Sequence, residues 1–294
     1  MSTEMASERY LHIDEWSVES AVEAMIESQL AAIASIMCIS DKIAEAATAA
    51  AARLSGQGRL VYVGAGTSGR VAAQDGVELY PTYNWPNERL FYILAGGENA
   101  LVESAEGAED DEGAATAKID QLHITECDVV IGVAASGRTP FTIAALRAAK
   151  EQGALTIGIS NNVDAPLIRN ADFGIVACTG SEPIAGSTRM KAGTAQKAIL
   201  NILSTTIMLS LGRVYQGLMV NMVISNKKLR QRGAEIVERV SGASIDASKE
   251  ALIAADDNLP VAILMGFGLE KQIATDLLND HKGHLGATIA TLGA

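Results

Sequence analysis

The first part of the chain carries apolar residues at helical spacing. Apolar positions recur every three or four residues across 17–39, which predicts an amphipathic helix. Asp41 then stands where it can cap a second, alanine-rich helix that we expect to end at about Leu54, because alanine is the best intrinsic helix former. Residues 1–57 are therefore predicted to form N-terminal helices that pack on the next region.

Five short apolar runs follow, and each of the first three precedes a loop and a helical pattern. The runs are RLVYVG at 59–64, RLFYIL at 89–94, CDVVIG at 127–132, ALTIGIS at 154–160 and DFGIVAC at 172–178. Repeated units of strand, loop and helix predict a parallel sheet. Nearly continuous apolar strands are typical of a sheet that is covered on both faces. The predicted fold class is therefore α/β, doubly wound, with a parallel sheet of about five strands.

Helical patterns replace the strand pattern after Ser187. The segment at 188–211 has the period and length of one long helix. The residues at 226–240 and beyond it predict a small C-terminal helical appendix. The sheet region is therefore predicted to span 58–225, and the C-terminal helical region 226–294.

Size and charge exclude some classes of partner. The chain has 294 residues, of which 48% are hydrophobic, and its net charge is −12 at pH 7. Because an acidic surface repels nucleic acid, no nucleic-acid partner is expected. A small anion in a pocket is compatible with this charge, since distant surface charges are screened over about 8 Å at physiological salt.

The cysteines and the apolar stretches predict a cytoplasmic protein. The three cysteines form no CxxC pair, which argues against a disulfide framework or a thiolate metal site. Acids in residues 1–16 argue against a signal peptide, and polar residues interrupt the apolar stretch at 198–211. No membrane partner is expected. Cys127 and Cys178, in or beside predicted strands, are expected to be packed thiols.

The loop GAGTSGR at 64–70 follows the first strand and opens a helix. Its backbone N–H groups and the positive end of that helix can bind a phosphate. The glycines also match the dinucleotide pattern GxGxxG, so a dinucleotide is an alternative ligand, although that pattern is weak by itself.

Two further hydroxyl-rich loops favour a compact sugar phosphate. ASGRT at 135–139 follows the third strand, and GSTR at 186–189 follows the fifth. Because the carboxyl ends of parallel strands meet at one edge of a sheet, these loops are expected to converge with the first. A simpler alternative is that the Ser and Thr residues only cap the following helices. The candidate substrate-binding residues are Gly66, Thr67, Ser68, Ser136, Thr139, Ser187 and Thr188.

Two glutamates and two histidines are further candidates for chemistry. Glu78 ends the first crossover helix, and Glu109 lies in an acidic run of the kind that usually forms solvated helix surface. His281 and His284 share a helical face but have no third ligand nearby, so no metal is predicted.

Four segments together resemble the N-acetylmuramic acid 6-phosphate etherases, which have the sugar isomerase (SIS) fold. They are GAGTSGR at 64–70, AGGENALVESAEGAEDD at 95–111, AASGRTP at 134–140 and GSTRMKAGTAQKAILNILST at 186–205. The segments occur in family order, and the similarity extends from about Ala6 into the C-terminal helices. The glucokinase regulatory protein shares the fold and the first loop but is similar only in part.

The resemblance implies cleavage of the lactyl ether at C3 of N-acetylmuramic acid 6-phosphate, which gives N-acetylglucosamine 6-phosphate and D-lactate without a cofactor. It implies that Glu109 removes the C2 proton, and that Glu78 protonates the departing lactate oxygen and then activates water. It also implies that Ser68, Ser136 and Thr139 hold the 6-phosphate. A homodimer is expected from the same resemblance.

The surroundings of Glu78 differ from the family pattern. Where the family usually has Ala-Ser-Glu-Cys-Pro-Pro, this chain has Gly-Val-Glu-Leu-Tyr-Pro at 76–81. To act as an acid, Glu78 has to stay protonated, which needs either a neighbouring negative charge or a desolvated setting. The flanking Val77, Leu79 and Tyr80 are candidates to desolvate it. Two alternatives stay open at this point. An aldose–ketose isomerase of the same fold needs one base to move a proton between C1 and C2, and a sugar-phosphate sensor needs none.

Overall fold

A single parallel sheet organises the computed structural model of the chain, which describes residues 2–103 and 105–293. The strands are β1 (Leu60–Gly64), β2 (Leu90–Leu94), β3 (Val129–Val133), β4 (Leu155–Ser160) and β5 (Phe173–Val176). Their order is β2-β1-β3-β4-β5, and all neighbouring pairs are parallel. Every residue of β1, β3 and β4 is buried, as a sheet covered on both faces requires. The predicted α/β fold with five parallel strands is confirmed.

Helices precede, connect and follow the strands. Those up to the last strand are α1 (Val18–Met37), α2 (Ser40–Leu54), α3 (Gly66–Val77), α4 (Leu79–Tyr83), α5 (Glu112–Leu122), α6 (Pro140–Glu151) and α7 (Pro166–Asn170). Those after it are α8 (Lys191–Ser210), α9 (Lys227–Ser241), α10 (Ile245–Ala254), α11 (Leu259–Gly266), α12 (Lys271–Asp280) and α13 (Leu285–Thr291). The predicted long helix after the fifth strand corresponds to α8.

The helical pattern that follows the second apolar run in the sequence covers 98–122, and it is interrupted in the structure. It contains two 3₁₀ turns, Glu98–Leu101 and Ala108–Asp110, before α5 begins. Gly107 has a φ of 72° and breaks the helical path directly before the second turn. The Asp111 carboxylate then caps α5 by accepting a first-turn N–H at 2.8 Å. This acidic segment therefore forms a turn at a strand end instead of one continuous helix.

The described chain divides into two compact units. The first contains residues 1–76 and 88–206 and includes the sheet, and the second contains residues 77–87 and 207–294. The second unit has its own apolar core, which includes Val220, Val237, Leu252, Ile263, Leu264 and Leu285. The division into three regions drawn from the sequence pattern stays a prediction beside this finding.

Cys127 and Cys178 are exposed, so the prediction that they are packed thiols is wrong. Cys127 lies in the turn before β3, and Cys178 lies beyond the end of β5. Because both fall outside the strands, the burial of the sheet does not extend to their side chains. His284, once considered for a metal site, caps α13 by accepting the N–H of Ala287 at its Nδ1 atom, 3.1 Å away.

No single helix of the described residues is both long enough and apolar enough to span a membrane. By length and composition alone, α1 and α2 reach those values as a pair that is bent by 62°. Within the first unit, α2 buries the side chains of Ala46, Ala47 and Ala50 completely.

Candidate active site

A cavity of about 400 Å³ lies at the carboxyl ends of β1 and β3. Its walls come from the loops after β1, β3 and β5, from the turn before α5 and from the N-terminal turn Ser2–Glu4. Ser187 is not among the described residues that line it. The residues predicted from sequence that the cavity brings together are Gly66, Thr67, Ser68, Ser136, Thr139, Thr188 and Glu109.

The loop after β1 presents the start of α3 to the cavity. Gly66 has a φ of 52°, in the left-handed region that favours glycine. A Cβ on Gly64 would lie 2.8 Å from the Cα of Gly69, so the helix start packs directly against the strand end. The first N–H bonded in the usual helical way is that of Gly69, to the carbonyl of Ala65 at 3.1 Å. The N–H groups before it have no partner inside the helix and suit an anion.

The loop after β3 contributes a hydroxyl that is not used for helix capping. Thr139 occupies the N-cap position of α6, but its side chain makes no capping hydrogen bond. Ser136 Oγ accepts the N–H of Arg138 at 3.1 Å and so holds the turn. Gly137, with a φ of 62°, lets this turn pack against Ala165, whose Cβ would lie 2.4 Å from a Cβ on the glycine. The capping alternative is therefore wrong for Thr139.

A buried carboxylate fixes the loop between β5 and α8. Glu182 is 1% exposed and accepts the N–H groups of Lys191 and Ala192 at 2.8 and 2.9 Å. These are among the N–H groups that an α-helix leaves unpaired at its start. Thr188 lies between this acid and the helix and lines the cavity. Glu182 was not predicted, because the acid lies too far before α8 for any local capping pattern.

Glu109 lies on the 3₁₀ turn Ala108–Asp110 and faces the cavity. Its immediate neighbour Asp110 also lines the cavity, as does Arg138. The walls therefore carry hydrogen-bond donors from the strand-end loops and carboxylate acceptors from this turn. Such a mixture suits a ligand that has both an anionic group and hydroxyl groups.

Glu4 is a further acid on the cavity wall that was not predicted. It is held there by its neighbour Thr3, which is fully buried and accepts a hydrogen bond from the Asn162 amide at 2.9 Å. That contact joins residues 159 positions apart. No local sequence pattern indicates such a contact, so the structure was needed to find Glu4.

Glu78 lies in the second unit, as the residue directly before α4. It is exposed and is not among the described residues that line the cavity. Leu79 is buried, but Val77 is 55% and Tyr80 is 38% exposed. The expectation that these neighbours desolvate Glu78 is therefore wrong for Val77 and Tyr80.

A buried acid near the end of α3 was also missed. Asp75 is 4% exposed and accepts hydrogen bonds from Tyr62 Oη at 2.7 Å, Asn201 Nδ2 at 2.5 Å and Ser204 Oγ at 3.1 Å. Burial raises the pKa of Asp75 above its ordinary value of 3.8, although these hydrogen bonds oppose the change. Burial also raises the pKa of Tyr62. The network ties α3 to β1 and α8.

Comparisons with known proteins identify the family. The glucokinase regulatory protein N-terminal SIS domain matches residues 42–150, and the SIS domain matches residues 108–206. A solved phosphoheptose isomerase from Francisella tularensis superposes with a TM-score of 0.48 at 17% identity, over 66% of this chain and 100% of that chain.

Two curated relatives match nearly the whole chain. The N-acetylmuramic acid 6-phosphate etherase of Deinococcus radiodurans is 41% identical over 283 residues, which are 96% of this chain and 93% of the relative. N-acetylmuramic acid 6-phosphate etherase 1 of Enterococcus faecalis is 42% identical over 291 residues, which are 99% of this chain and 97% of the relative. These identities confirm the resemblance drawn from the four motifs, and the chain belongs to the N-acetylmuramic acid 6-phosphate etherase family.

Proposed function

We propose that this protein is an N-acetylmuramic acid 6-phosphate etherase, a carbon–oxygen lyase that gives N-acetylglucosamine 6-phosphate and D-lactate. The observation that carries the proposal is the single cavity in which loops from three strand ends meet Glu109. A phosphosugar needs donors for its phosphate and acceptors for its hydroxyls, and this cavity has both. Membership of the etherase family supports the same reaction.

The 6-phosphate is held, in this proposal, by the start of α3 and by side-chain hydroxyls. Ser68 is 8% exposed and faces the cavity, so little water competes for its hydroxyl. Ser136 and Thr139 approach from the next strand end. Hydrogen bonds to an ionised phosphate are roughly twice as strong as neutral ones. Gly66, Thr67, Ser187 and Thr188 complete the proposed binding set.

The reaction needs one base and one acid and no cofactor. Ring opening places an aldehyde at C1, which acidifies the C2 proton. Glu109 removes that proton, the electron pair forms the C2–C3 double bond, the C3–O bond breaks, and Glu78 protonates the lactate oxygen. Glu78 then takes a proton from water as the water oxygen adds to C3, and Glu109 returns its proton to C2. The role of Glu78 rests on its place in the family motif.

Deuterated water tests the route. The enzyme is incubated with N-acetylmuramic acid 6-phosphate in deuterated water, and lactate release is measured together with deuterium at C2 of the product sugar. We expect both, because the carboxyl proton that Glu109 takes from C2 exchanges with solvent deuterium before Glu109 returns it. Lactate release without C2 deuterium would refute elimination, and no lactate release would refute the etherase itself.

Two variants separate the roles of the glutamates. Glu109→Gln is expected to lose C2 exchange of N-acetylglucosamine 6-phosphate by about 10³-fold, since a positioned base contributes about 10²–10⁴-fold. Glu78→Gln should keep that exchange within about threefold while lactate release falls by about 10²-fold or more. Glu126→Gln, in the exposed turn before β3, is the matched control and should change neither. The reverse pattern would exchange the two assignments.

We also infer a homodimer, supported by the exposed face of α1 in the first unit. Six large apolar side chains on this helix are between 45% and 79% exposed. They follow one another at intervals of three or four residues and so form one stripe: Val18, Val22, Ile26, Leu30, Ile33 and Met37. Contiguous exposed apolar surface of this kind marks a protein–protein contact.

A cytoplasmic location is part of the proposal. Cys38, Cys127 and Cys178 are free and exposed. Exposed thiols without disulfide partners are typical of proteins in reducing compartments.

A further inference from the structure

A second cavity, of about 350 Å³, adjoins the proposed phosphate cavity. The two share Ala65, Gly66 and Glu109 as lining residues. The remaining walls of the second cavity come from α3 and from the segment between β2 and α5, and they are mostly small: Arg70, Ala95, Ala100, Ala105, Glu106 and Gly107. Glu109 therefore belongs to the walls of both cavities.

Arg70 is the one cation among the described residues that line this second cavity. It is half-buried, and its Nε donates to the carbonyl of Ala100 at 3.0 Å. That bond fixes the plane of the guanidinium. No ion pair joins it to a carboxylate within the part of the chain that the structure describes. An oriented guanidinium with its terminal nitrogens available suits a carboxylate, which it can bind with two parallel hydrogen bonds.

We propose that this second cavity binds the lactyl group of the substrate, with its carboxylate on Arg70 and its methyl group against the alanine side chains. The inference rests on the proposed etherase function and adds a specificity-determining residue to it. Ala95, Ala100 and Ala105 line the cavity with apolar side chains that form no hydrogen bonds. The lactyl group is the part of the substrate that carries both a carboxylate and a methyl group.

The position of Glu109 agrees with this assignment. The base has to reach C2, and the lactyl group is attached to the neighbouring carbon, C3. Because Glu109 lines both cavities, a substrate whose phosphate occupies the first cavity and whose C2 lies at Glu109 has its C3 substituent next to the second cavity. Glu106 and Glu109 would repel a ligand carboxylate there, so Arg70 is needed to offset their charge.

Arg70→Met tests the site, because Met keeps much of the side-chain length and removes the charge. We expect kcat/KM for N-acetylmuramic acid 6-phosphate to fall by about 100-fold, since hydrogen bonds to charged groups are the strong ones. C2 exchange of N-acetylglucosamine 6-phosphate should change by less than about threefold, because that sugar has no lactyl group. Arg70→Lys keeps the charge but lacks the planar guanidinium, so its kcat/KM for N-acetylmuramic acid 6-phosphate should fall by about tenfold. Arg147→Met, an exposed arginine on α6, is the matched control.

A substrate analogue keeps the test independent of how the variants fold. When the lactyl carboxylate is replaced by an amide, the wild-type enzyme should release lactamide about 100-fold less efficiently than it releases lactate. Arg70→Met should process the two substrates with similar efficiency. The assignment is overturned if the variant still prefers the carboxylate, or if it loses C2 exchange of the product sugar as well. Failure of the wild-type enzyme to release lactate would instead refute the proposed function.

Discussion

At the scale of single residues, Asp75 shows how burial sets the pH dependence of this protein. Its carboxylate accepts three hydrogen bonds, and these and the charge of Lys197 act to lower its pKa, but burial outweighs them. Because burial raises its pKa in the folded state, protonation of Asp75 favours the folded state. Its contribution to stability is therefore complete below the ordinary pKa of 3.8 and is lost as pH rises through the folded-state value.

Replacing Asp75 tests this sign. As pH is raised from about 4 to about 7, the melting temperature of the wild type should fall relative to that of Asp75→Asn. Only the wild type has to bury an ionised carboxylate at the higher pH. Asp172→Asn is the opposite control. Burial acts to raise the pKa of Asp172, but bonds from Lys150 and Thr156 bring it below the ordinary value of 3.8. The advantage of the wild type over that variant should therefore be nearly constant between about pH 4 and pH 7 and should be lost only as pH falls below 3.8. Parallel curves for both variants would contradict the assignment.

Sequence reasoning found the residues that local patterns mark and missed those fixed by distant contacts. Ser68, Ser136 and Thr139 follow strands directly, so their convergence on one cavity followed from parallel topology. Asp75 is held by Asn201, 126 positions away, and Glu4 is placed by its neighbour Thr3, whose partner Asn162 lies 159 positions from Thr3. Such contacts leave no periodic signal, and the structure alone located them.

At the scale of the element, the N-terminus of α6 allows a role in substrate binding to be distinguished from a role in helix capping. Thr139 stands at its N-cap without a capping bond, whereas Ser17 caps α1 by accepting the N–H of Ser20 at 3.2 Å. Thr139→Val should therefore leave the melting temperature within about 1 °C of wild type and raise the KM for the phosphosugar by about tenfold or more. Ser17→Ala should cost about 1 kcal/mol of stability and leave KM unchanged. Thermal melts and initial rates measure the two effects, and a loss of stability in Thr139→Val without a rise in KM would assign Thr139 to the fold.

The interrupted segment between β2 and α5 shows where periodicity misleads. Its apolar and acidic residues have helical spacing, yet Gly107 and the Asp111 cap force a turn before the helix begins. The turn is what carries Glu109 to the strand ends. A continuous helix from residue 98 would have had no break there, so the local exception to the pattern is the feature that builds the site.

At the scale of the whole molecule, the sheet was predictable and the division of the chain was not. Five apolar runs at the spacing of strands are local signals, and each became a strand. The second unit joins residues 77–87 to residues 207–294, and a unit built from separated segments depends on long-range packing. Glu78 falls in the short inserted segment, which explains why its surroundings could not be inferred from its sequence neighbours.

The apolar stripe on α1 predicts the surface through which two copies of the chain pair. A helix that exposes Ile26 and Leu30 at 57% and 66% leaves apolar surface in water, and burial of such surface contributes about 25 cal/mol per Å². Beyond Ile33 and Met37 the stripe continues into an apolar groove of about 350 Å³ that Ile202 also lines. A second copy offers the same stripe, and a twofold axis pairs the two self-complementary surfaces.

Leu30→Glu tests that contact, because a new charge would be buried at the centre of the stripe without a partner. Light scattering after size exclusion should give twice the monomer mass for the wild type and the monomer mass for the variant at the same concentration. Ala31→Glu adds the same charge at an exposed position of α1 beside the stripe and should remain dimeric. If both variants stay dimeric, the contact lies elsewhere, and if the wild type is a monomer, the exposed stripe needs another occupant. Comparison of Leu30→Glu with Ala31→Glu therefore separates the loss of the apolar contact from the mere addition of a negative charge to α1.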